Sequence, residues 1–153
     1  MLGTSNEIKN PGLGVLPPGV ERYFVKGGGL SVIEIFAEDK IDIINEEGKQ
    51  ICEIIVFDTD GKPDLSILNL KPNANADFSK KVIANDEKIT KIFKKRNLDL
   101  NKAKSSIIFD EDCLMGEKIT VTSKDKCFIL IAAPGDPLNV HEHLMGHQVL
   151  LLK

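Results

Sequence analysis

No excess of positive charge is present: 20 lysines and arginines stand against 23 aspartates and glutamates, a formal net charge of −3. A nucleic-acid binder, or a protein held to an anionic membrane surface, would show the opposite balance, so neither partner is expected. No apolar run comes near the ~18 residues needed to span a bilayer; the longest are Ile54–Phe57 and Phe128–Ala133. The N-terminus has no positively charged lead followed by an apolar stretch, so no secretory signal is read there. Cysteine is sparse. Cys52, Cys113 and Cys127 are odd in number and widely spaced, which fits free thiols in a reducing cytoplasm better than a disulfide framework. The common marks of catalysis are missing too, with no G-x-S-x-G and no C-x-x-C. What remains suffices for one domain, since 153 residues with 42% hydrophobic and 28% charged can bury a core.

Met1 to Gly19 holds Pro11, Pro17 and Pro18 with Gly3, Gly12, Gly14 and Gly19. Proline fixes φ and lacks an N–H, so residues 1–19 are expected as an extended arm. Residues 20–153 then form a single β domain. Strand signals run through Glu21–Lys26, Leu30–Phe36, Lys40–Ile44 and Gln50–Phe57, each closed by glycine or acidic turns. They return at Ser106–Phe109, Lys118–Thr122, Lys126–Ala132 and Gln148–Leu152. Short strands at this spacing predict an antiparallel β-sandwich or barrel of eight to ten strands. Its core should draw on Val32, Ile33, Ile35, Ile43, Ile54, Val56, Ile108, Val121, Phe128, Leu130 and Val149.

One helix is expected, near 86–96. Asp86-Glu87 open it, Ile89, Ile92 and Phe93 recur at helical spacing, and Lys94-Lys95-Arg96 close it, which matches the helix dipole. Lys80 to Lys104 carries nine basic residues against three acidic ones, a net +6, so the rest of the chain carries −9. Such a run reads first as a solvated helix face, and secondly as a contact for phosphate, carboxylate or an acidic partner.

The remaining motifs are few. Gly27-Gly28-Gly29 precedes a strand rather than a helix, so it is a turn and not a phosphate cradle. Asp58-Thr59-Asp60-Gly61 lacks the further ligands of a calcium loop and reads as an Asx turn. His141, His143 and His147 are the only histidines. On a strand His141 and His143 share a side, the opening of a cupin-like metal site, and zinc is the commonest occupant of such ligands. The alternative is an exposed loop ahead of the last strand. Glu34, Gln50 and Glu53 lie in or beside apolar strands, and with His141 and His143 they could line the mouth of a barrel. A glutamate pointing inward there must find a donor, a metal or water. A glutamate on a solvated face needs none.

The run from Gly29 to Asp58, with Asp39, Ile41, Ile43, Asn45, Gly48, Gln50, Glu53 and Phe57-Asp58, resembles the opening of the urea-carboxylase-associated domain family. Thr90 to Ser106 and Ala132-Ala133-Pro134-Gly135-Asp136-Pro137 are compatible with it. The resemblance implies a mostly-β domain that accompanies urea or amine breakdown, or one fused ahead of a folate-dependent aminomethyltransferase. The chain is shorter than stand-alone members and lacks their cysteine- and histidine-bearing segment, so it leans toward the fused form and inherits no catalytic or metal residue. The resemblance makes a small amine the expected ligand, held by Glu34, Gln50 and Glu53. Three functional readings follow. The first is a non-catalytic ligand-binding or docking domain, set beside a downstream aminomethyltransferase. The second is a small zinc-dependent enzyme using His141, His143 and His147. The third is an interaction module whose arm exchanges within a homo-oligomer.

Overall fold

The structure, a computed structural model, describes residues 20–46, 51–109, 112–133 and 146–152; between 146 and 152 it describes the backbone alone. The strands are β1 (Val20–Lys26), β2 (Gly29–Ile35), β3 (Lys40–Asn45), β4 (Cys52–Phe57), β5 (Ser106–Ile108), β6 (Glu117–Thr122), β7 (Cys127–Ala133) and β8 (Gly146–Leu152). All eight coincide with the strands expected from sequence, within the fraying of element ends. Between β4 and β5 come a 3-10 turn at Leu65–Leu68 and two helices, α1 (Asp77–Ala84) and α2 (Glu87–Lys95). No helix among the described residues is long and apolar enough to cross a membrane.

Two four-stranded sheets form, in the orders β1-β8-β3-β6 and β2-β7-β4-β5. Every pairing is antiparallel. The pairs nest, β4 with β5 innermost and β1 with β8 outermost, so the chain is folded back on itself and rolled into a jelly roll. Connections β1–β2, β3–β4, β5–β6 and β7–β8 leave from one end, called here the upper end. The other three leave from the lower end.

Alternation explains β2 and β3. In β2 Ile33 and Ile35 are buried and Glu34 between them is exposed; in β3 Ile41 and Ile43 are buried. β4 and β7 behave differently, because every residue in both is buried. One face of each meets the opposite sheet, where Ile54, Val56, Ile129 and Ile131 join Ile33, Ile35, Ile41 and Ile43. The other face meets the helices, where Ile55, Phe57, Phe128 and Leu130 join Ile83, Phe93 and Leu98. Continuous apolar strands are what a sheet covered on both sides requires.

The expected core residues accordingly divide. Ile33, Ile35, Ile43, Ile54, Val56, Ile108 and Val121 fill the inter-sheet core, whereas Phe128 and Leu130 belong to the helical one. Val32 is only half-buried, packed against the helical core, and the side chain of Val149 lies outside what the structure describes.

The expected helix is α2. Its N-cap Asp86 accepts from the N–H groups of Lys88 and Ile89 at 3.0 and 3.3 Å, and Phe93 sets its ring edge-on to Phe57 with centroids 5.7 Å apart. The single-helix expectation is corrected by α1. That helix has no side-chain cap of its own: its N-cap position is Ala76, in the left-handed conformation at φ 61°.

Candidate functional site

Of the two positions that the sequence leaves open for Glu53, the structure shows the inward one. Glu53 is neither on a solvated face nor at an open mouth, being 3% exposed. Its side chain leaves β4 on the helical side and ends at the first turn of α1. One carboxylate oxygen accepts from the Ser79 N–H at 3.0 Å and from the Ser79 hydroxyl. The other accepts from the Ser105 hydroxyl at 3.2 Å, and Ser105 Oγ in turn accepts from the Ala76 N–H at 3.0 Å. A strand carboxylate thus supplies the cap that α1 lacks, where the helix dipole favours negative charge. Three donors fill it, so it is committed to holding α1 on the sheet.

Glu34 is placed elsewhere. The rungs Glu34–Phe128–Phe57 and Leu30–Ala132–Glu53 put both glutamates on one sheet face, but four rungs and two strands apart. Glu34 lies exposed toward the lower end, 3.4 Å from the Lys126 ammonium, which also sits 5.1 Å from the centre of the Phe36 ring. The two carboxylates do not share a mouth. Gln50, His141 and His143 fall outside the described residues; the strands flanking them, β3 with β4 and β7 with β8, have their facing ends at the upper end, where Glu53 also lies. The backbone of His147 is paired with Val25 in β8. Among the described residues, no group of three or more histidines, cysteines or carboxylates is placed to hold a metal ion.

At the lower end the structure shows a groove of about 320 Å³ that includes Pro63, Asp64, Leu65, Leu70, Pro72 and Lys102 in its lining. The Asx turn that precedes Pro63 follows the sequence reading. Asp58 Oδ1 accepts from the Asp60 and Lys62 N–H groups, both at 2.9 Å, which closes the turn. Asp64 Oδ1 accepts from the Ser66 N–H at 3.1 Å and caps the 3-10 turn. The ammonium of Lys102 makes no hydrogen bond or ion pair with another described residue. Prolines give the walls fixed backbone, and the lining carries one carboxylate, Asp64, and two ammonium groups, those of Lys102 and of Lys104, the latter donating to Asn75 Oδ1 at 2.7 Å. No motif announced this site, because its residues come from both ends of the long β4–β5 connection and meet only once the helices are seated.

Cys52 and Cys127 are poor nucleophiles. Burial, then the Glu53 charge, pushes Cys52 far above the ordinary thiol range, and burial raises Cys127 as well. A thiol raised in the folded state keeps its proton there while the unfolded chain loses it. The resulting stability is complete below the unfolded thiol pKa of about 8.5 and falls as pH rises past it. Urea midpoints are expected to drop between pH 8.5 and pH 10, and Cys52 should react with a thiol reagent only after unfolding. Rapid labelling of native Cys52 would contradict this.

No protein-family model matches the chain. It is 29% identical over 132 residues to a trimethylamine-oxide aldolase of Ruegeria pomeroyi. The match covers 84% of this chain but only 17% of that protein, so the chain spans a small part of its relative's length.

Proposed function

We propose that this chain is a non-catalytic ligand-binding or docking domain of an amine-handling system, and that its ligand is a small methylated amine or amine oxide. The similarity to a trimethylamine-oxide aldolase over most of the chain carries this reading. The urea-carboxylase-associated resemblance and a neighbouring aminomethyltransferase belong to the same proposal; an aminomethyltransferase encoded in frame downstream would support them. The lower groove suits such a ligand: methyl groups against Pro63, Leu70 and Pro72, positive nitrogen toward Asp64, oxide oxygen toward Lys102.

Melting temperature is the wrong readout, because trimethylamine N-oxide stabilises folded proteins in general by exclusion from their surface. Amide chemical shifts separate the two effects. Saturable shifts confined to Pro63–Pro72 neighbours and Lys102 are expected on titration with trimethylamine N-oxide and with trimethylammonium, and Lys102→Ala should weaken them for the oxide alone, since the ammonium offers Lys102 no oxygen. Shifts that are linear and spread over the surface would reject the ligand class. The chain alone is expected to leave trimethylamine N-oxide unconsumed, and turnover would make it an enzyme and end the non-catalytic reading.

The jelly-roll strand order favours one second reading, since cupins share that architecture. In it His141, His143 and His147 hold zinc. Stoichiometric zinc in untagged protein, lost in His143→Ala, would support it; metal-free protein would remove it.

A further inference from the structure

The helical layer presents positive charge that no ion pair between described residues balances. On α2, Ile89 and Phe93 pack against the sheet while Lys88, Lys91, Lys94 and Lys95 are exposed. Lys91 stands three or four residues from each of the other three, so like charges crowd one helix face, an arrangement that weakens a helix. Lys94 and Lys95 suit the C-terminal dipole, but Lys88, in the first turn, opposes it. The ion pairs between described residues, Lys118 with Asp42 and Lys126 with Glu34, leave this face untouched. With Arg96 lying over the Phe128 ring at 4.9 Å, the segment keeps its +6 in a chain of −3.

A complementary surface lies on the turn before β6. Leu114 and Met115 are 74% and 75% exposed there, and Glu46, Asp112 and Glu117 around them are exposed too. The turn is shaped rather than loose: the Gly116 N–H donates to Asn45 O at 2.7 Å and the Leu114 N–H to Glu117 Oε1 at 3.2 Å.

We propose that the basic face of α2 in one copy docks the Leu114–Met115 turn of a second copy. Carboxylates of the turn meet the lysine ammonium groups. The two apolar side chains lie along the lysine methylenes and the half-buried Val82, Ile89 and Ile92. Because the two surfaces differ, the contact is heterologous and repeats head to tail unless it closes into a ring. A nucleic acid fits this face less well. The whole chain is negative, and eight of the nine basic residues are lysines, without the arginine forks that read base edges. An anionic membrane meets the same repulsion.

Sedimentation at low ionic strength is expected to show mass rising with protein concentration, the association weakening roughly tenfold or more in about 0.5 M salt. Lys88→Glu with Lys91→Glu should abolish it while leaving helix content and stability equal or higher, because both changes relieve the like-charge crowding. Leu114→Ser with Met115→Ser should abolish it as well. Mixed in equal amounts, the two variants should form a dimer of one of each and nothing larger, since each retains the half the other lacks. A wild type that stays monomeric, or a mixture that does, overturns the proposal. So does wild-type binding to duplex RNA or anionic vesicles, lost in the lysine variant, without self-association; that outcome would give the face to a polyanion.

Discussion

Gly61→Ala is expected to destabilise the chain by about 3 kcal/mol or more, lowering the melting temperature by roughly 6–12 °C. Gly61 is buried at φ +84°, and a Cβ there would stand 1.9 Å from Asn97 O and 2.7 Å from its carbonyl carbon. Both neighbours are backbone, so no side chain can swing aside. The closeness is structural: the Asp99 N–H donates to Gly61 O at 2.8 Å, tying the segment after α2 to the turn after β4. Pushing them apart would lift Leu98 and the end of α2 from the helical core. Gly116→Ala supplies the control, with φ +81° but nothing within 4 Å of the added carbon. It should cost about 1–2 kcal/mol, the backbone strain alone. Equal losses in the two variants, measured by urea unfolding, would show that the Gly61 contact is not tight.

Glu53→Leu is expected to cost about 4 kcal/mol, because it leaves the Ser79 N–H and the Ser79 and Ser105 hydroxyls buried with no acceptor. Glu53→Gln keeps an acceptor and should cost about 1–2 kcal/mol. On a solvated face either change would stay within about 0.5 kcal/mol. The cause can be isolated in a double-mutant cycle. In a Ser79→Ala background Glu53→Leu should lose at least about 1 kcal/mol less than in wild type, the signature of partners in one network. Additive losses would place the effect of Glu53 somewhere other than its bond to Ser79.

These two residues also show where sequence reading runs out. Strands were legible because each carries its own evidence: Ile33 and Ile35 around Glu34, or the unbroken Ile54–Phe57 and Phe128–Ala133. The helix α2 was legible because Asp86 caps it from within the segment. The helix α1 was not, since its start shows Ala76 where a capping side chain is looked for, and the carboxylate that serves it sits on β4, 26 residues before Ser79. Glu53 stayed open between an inward and a solvated position for the same reason, as a strand position gives no hint that a serine-bearing helix will cover it. The division of the apolar residues into two cores was likewise hidden, because composition shows that β4 and β7 are apolar on both faces but not what covers the second face. The Asp58 turn beside the candidate groove was legible in sequence, but the approach of Asp64 to Lys102 was not, since it comes only through the folded connection.

The complete burial of β4 and β7 has a consequence for how the protein opens. These two adjacent strands are the shared wall of both cores, so neither core can come apart while the other stays intact. The outer sheet edges β1 and β6 can fray locally, but amide hydrogens of Ile54, Ile55, Leu130 and Ile131 have no such route. They should exchange with solvent only through global unfolding, and the helical layer and the sandwich should melt as one cooperative unit.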